Sequence, residues 1–69
     1  MLKKEEFDVL YYRVKYPDST PGNIAIAINE SLEKTNDIIL LLQKVGYLGK
    51  DGYVTNDGIS ALEPYKVKN

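Results

Sequence analysis

The sequence predicts a mainly α domain with a small β-hairpin: a three-helix core, a two-stranded hairpin and a short C-terminal helix. Three observations carry this. Residues 31–46, SLEKTNDIILLLQKVG, hold the longest helical periodicity in the chain. A shorter helical pattern stands just before it, introduced by Thr20-Pro21. After Gly46 the period becomes extended, around an Asp51-Gly52 pair that favours a hairpin turn.

The first helix is expected over residues 3–16, with Phe7, Leu10, Tyr11 and Val14 as its inner stripe. Glu5, Glu6 and Asp8 at its start and Arg13 and Lys15 near its end suit the helix dipole. Pro17 ends it, because the residue before a proline is biased away from the α region. Thr20 caps the second helix, Pro21 to Ile28, which buries Ile24, Ala25 and Ile28. Asn29 takes the turn, since asparagine tolerates left-handed geometry.

Ser31 caps the third helix and Gly46 stops it. Leu32, Thr35, Ile38, Ile39, Leu42 and Val45 share its inner face; Glu33, Asn36, Asp37, Leu40 and Lys44 lie opposite. Tyr47-Leu48 and Tyr53-Val54-Thr55 read as strands joined by residues 49–52. Thr55 or Asn56 caps a last helix through Leu62, Pro64 closes it, and residues 65–69 are expected to be extended.

Composition bounds the chemistry. The chain has 69 residues and 43% hydrophobic content, enough for one small packed domain. With neither cysteine nor histidine, it has no disulfide, no thiolate metal site and no histidine acid–base catalysis. Its net charge is −1, which argues against a broad phosphate-binding surface. No apolar run reaches membrane-spanning length and no signal peptide is read, so a cytoplasmic protein without membrane contact is expected. No glycine-rich phosphate loop or paired-acid spacing is found, so neither a cofactor nor catalysis by this chain alone is expected.

The order of elements and the spacing of Ala25, Asn29, Thr35, Ile39, Leu42 and Gly46 resemble a helix-turn-helix. Gly46-Tyr47-Leu48, then Asp51-Gly52-Tyr53-Val54-Thr55 and Gly58, resemble the wing and following helix of MarR-like winged helix proteins. The resemblance implies a winged helix-turn-helix domain over residues 1–63 and a tail or linker over 64–69. A second resemblance lies in the tail. Residues 61–68, ALEPYKVK, are similar to the joint where some bacterial proteins pass from an N-terminal winged helix into a sugar-phosphate or choline-phosphate nucleotidyltransferase domain.

Two functional readings follow. As a DNA-binding-like regulatory module, the chain would read bases from the third helix, where the resemblance places Ser31, Glu33, Asn36, Asp37 and Leu40. Lys34 and, on the wing, Lys50 would meet phosphates. Double-stranded DNA is then a weakly bound partner, because few cations are available and residues 30–46 hold three acidic side chains against two basic ones. The plain alternative is a merely solvated helix face. As a protein-interaction module, the chain would use a second stripe on the first helix, Val9, Tyr12 and Tyr16, extended by Tyr65. Its partner would be a second copy or an attached catalytic domain, unless the last helix covers the stripe within the monomer.

Overall fold

The computed structural model describes residues 2–65 of the chain. They form four α-helices: α1 (Lys4–Lys15), α2 (Pro21–Ile28), α3 (Leu32–Lys44) and α4 (Asn56–Leu62), followed by a 3₁₀ turn over Glu63–Tyr65. The helices α1, α2 and α3 pack on one another, and α4 lies against α1.

Each helix starts where its sequence supplies a cap. The Lys3 backbone N–H donates to the Glu6 carboxylate at 3.0 Å ahead of α1. Thr20 and Asn23 exchange bonds ahead of α2: the Asn23 N–H donates to Thr20 Oγ at 3.1 Å and the Thr20 N–H to Asn23 Oδ1 at 3.2 Å. Ser31 Oγ accepts from the Lys34 N–H at 3.1 Å at the head of α3. The stops are as local. Asn29 turns left-handed at φ 60° after α2, and the Glu30 N–H reaches back to the Ala25 carbonyl at 3.0 Å. Gly46 has φ 90° after α3, and a Cβ there would meet no other atom. Glycine is therefore needed for its backbone conformation, not for space.

Residues 47–55 do not form the expected pair of strands; among the described residues one antiparallel bridge, Leu48 to Val54, is all that pairs. The reason lies in where the backbone groups go. The N–H groups of Tyr47 and Leu48 both donate to the Leu42 carbonyl, at 2.9 and 3.1 Å, closing α3. Gln43 Nε2 donates to the Gly49 carbonyl at 3.0 Å. At the other end Thr55 already caps α4, its Oγ accepting from the Gly58 N–H at 3.0 Å. What remains is a tight loop held by Gly49 N–H to Tyr53 carbonyl at 2.8 Å and Thr55 N–H to Tyr47 carbonyl at 3.0 Å. Among the described residues the regular structure is all-α.

The core consists of Val9, Leu10, Ile24, Ile38, Leu42, Leu48 and Leu62, with Leu2, Phe7, Tyr12, Ile28, Ile39, Tyr47 and Val54 packed around it. Two expectations need correcting. Val9, expected on an outer stripe of α1, is fully buried, while Tyr11 and Val14 of the expected inner stripe are exposed. Helix α1 packs against α2, α3 and α4, so its burial is not confined to one stripe. Leu32 and Val45 are each 52% exposed. They are the first residue of α3 and its C-cap, at the two ends of the helix. The closing segment also differs from an extended tail. Glu63–Tyr65 form a 3₁₀ turn, and Tyr65 turns back onto Phe7, with ring centroids 5.0 Å apart. The rest of the expected tail, residues 66–69, lies outside the described residues.

Candidate interaction surface

Ser31 at the cap of α3 and Glu33, Lys34, Asn36, Asp37 and Leu40 along it are all exposed. Lys50 is exposed as well, but on the loop after α3. The hydroxyl of Ser31 is already engaged in capping. The ammonium of Lys34 lies 3.7 Å from a Glu5 carboxylate oxygen and 3.8 Å from one of Glu30. Glu5 comes from α1 and Glu30 from the turn before α3, so two elements converge on this one cation. The carboxyl of Glu5 is held below the usual glutamate range, first by a hydrogen bond from its own backbone N–H at the start of α1 and then by the Lys34 charge.

Further along α3 the surface changes character. Leu40 is 62% exposed and Leu41 43%. Leu41 also lines a shallow groove of about 240 Å³ with Leu2, Glu6, Leu42, Val45 and Tyr47. Between Asp37 and Lys44 the outer face of α3 is thus apolar. Leu41 carries no motif and sits in a run of three leucines, so periodicity alone did not single it out.

The tyrosine stripe of α1 is largely closed within the monomer. Val9 is in the core, and Tyr12 is half-buried and packed against it. Tyr16 remains exposed, its ring 4.8 Å from that of Tyr12. Tyr65 is half-buried; its hydroxyl donates to the Leu2 carbonyl and accepts from the Leu2 N–H, each at 3.1 Å.

A second polar cluster joins the end of α1, the loop after it and the turn at 49–52. Arg13 Nη1 donates to the carbonyls of Pro17 and Ser19, at 3.1 and 2.7 Å. The Tyr53 hydroxyl donates to the Asp18 carboxylate at 3.0 Å, which raises the phenol above its usual range. Arg13 was readable only as a dipole-compensating charge; its hold on the following loop depends on how that loop folds back. Among the described residues no group of three or more acidic side chains could hold a metal ion. No described helix is long and apolar enough to cross a membrane. No family model, curated protein or solved structure matches the chain.

Proposed function

We propose that this chain is a regulatory module of the winged helix-turn-helix kind that works through protein contact rather than by reading duplex DNA. In this reading α2, the Asn29 turn and α3 are the helix-turn-helix, and the loop at 47–55 is a wing reduced to one bridge. The observation that carries the choice is the state of Lys34. A lysine that is to neutralise a phosphate must leave Glu5 and Glu30, which lie within 4 Å of it and would repel the incoming phosphate. Glu33 and Asp37 add two further carboxylates to the same exposed surface. The apolar stretch at Leu40 and Leu41 is instead what a protein surface can bury.

The MarR-like resemblance supports the regulatory role, and the tail's resemblance to a nucleotidyltransferase joint supports a cytoplasmic setting where contact between protein parts is the useful property. An attached catalytic domain of that type is one partner consistent with it. The module has no catalytic step of its own.

DNA binding stands as the second reading because Asn36 is exposed on the leading half of α3 and Lys50 is exposed on the wing loop. The two are separated by a fluorescence-anisotropy titration of the wild-type chain against random duplex DNA at low salt. Protein contact predicts no saturable binding. Saturable binding that Lys34→Ala and Lys50→Ala each weaken would overturn it.

A further inference from the structure

The solvent face of α3 is self-complementary when turned end for end. On a helical wheel Asp37 and Lys44 lie close together on that face, with Leu40 to one side and Leu41 to the other. Asp37 and Lys44 stand about 10 Å apart along the axis, at a rise of 1.5 Å per residue. Among the described residues neither takes part in an ion pair. Leu40 and Leu41 are exposed between them. The order along the helix is acid, two leucines, base.

We infer that the partner of this face is a second copy of the chain, with the two α3 helices packed antiparallel about a two-fold axis between Leu40 and Leu41. This rests on the reading of the α3 face as a protein contact and names the partner. In that arrangement Leu40 of one copy meets Leu40 of the other on one side of the axis, and Leu41 meets Leu41 on the other side. Asp37 of each meets Lys44 of the other, twice by symmetry, so the contact is isologous and closes as a dimer. Antiparallel packing also sets the positive end of each helix dipole beside the negative end of its neighbour. A parallel arrangement would put Asp37 against Asp37 and Lys44 against Lys44, so the charges select the antiparallel one. An unrelated protein would have to match this pattern by its own sequence; a second copy matches it by symmetry.

The test is sedimentation equilibrium over a concentration series, using the wild type and two charge reversals. Wild type should show a reversible monomer–dimer equilibrium. Asp37→Lys and Lys44→Asp each turn two attractions into two repulsions, and each alone should weaken association roughly tenfold. An equimolar mixture of the two variants restores both pairs in the heterodimer and should associate as wild type does. Both positions are exposed, so circular dichroism should show each variant folded. A wild type that remains monomeric at every concentration overturns the inference, as does association that the reversals leave unchanged or that the mixture fails to restore. If the wild type is monomeric and also fails to bind DNA, the second copy is excluded while protein contact stands with another partner.

Discussion

The Thr55 hydroxyl donates to the Gly46 carbonyl at 2.6 Å while accepting from the Gly58 N–H at 3.0 Å. One side chain thereby ties the glycine that ends α3 to the first turn of α4, and the loop between them is held at both ends. Thr55→Val removes both bonds while keeping the shape, and should cost about 1–3 kcal/mol, against a few tenths for Thr55→Ser. Urea unfolding of the two variants checks this.

Gly58 is fixed by close approach. A Cβ at this position would lie 2.3 Å from the Tyr47 carbonyl oxygen and 2.7 Å from Val54 Cγ1. The first neighbour is backbone and cannot rotate away. Gly58→Ala should therefore destabilise the domain by about 1–3 kcal/mol despite alanine's better helix propensity, with a correspondingly lower melting temperature.

Leu42 is 1% exposed at the centre of the core, whereas Leu32 is 52% exposed on the same helix. Leu42→Ala should cost roughly 2–5 kcal/mol. Leu32→Ala should stay within about 0.5 kcal/mol. Thermal melts of both variants distinguish a core position from an end position that shares its helical face.

Tyr53 makes stability sensitive to alkaline pH. Its hydroxyl donates to the Asp18 carboxylate, so the folded phenol titrates above the ordinary value of 10.0. A folded-state pKa raised above the unfolded one stabilises the fold below pH 10.0, and that contribution is lost as pH rises through the folded value. Wild type should lose more stability than Tyr53→Phe across that window, as measured by denaturant titrations on either side of it.

What could be read in advance follows the range of the interactions. Thr20 with Pro21, Asn29, Ser31 and Gly46 act within one turn of their own helix, and each marks a boundary in the sequence and in the fold. The loop at 47–55 carries strand-like residues, but its ladder is set by groups outside it: the Leu42 carbonyl, the Gln43 amide and the cap of α4. The sequence shows Val9 on a second apolar stripe of α1 and leaves open whether the last helix covers it; its burial, with α4 packed against α1, is settled only by tertiary structure. The engagement of Lys34 depends partly on Glu5, which is remote in sequence and reaches it only when α1 packs on α3.

An amide chemical-shift titration of the isotope-labelled wild-type chain, first by raising its own concentration and then by adding random duplex DNA at low salt, identifies the partner of the exposed face of α3. Antiparallel pairing of α3 should give concentration-dependent shifts centred on Asp37, Leu40, Leu41 and Lys44, and none on adding DNA. Shifts at Ser31, Lys34, Asn36 and Lys50 that saturate with DNA, with the Leu40–Leu41 region unmoved by protein concentration, would contradict it.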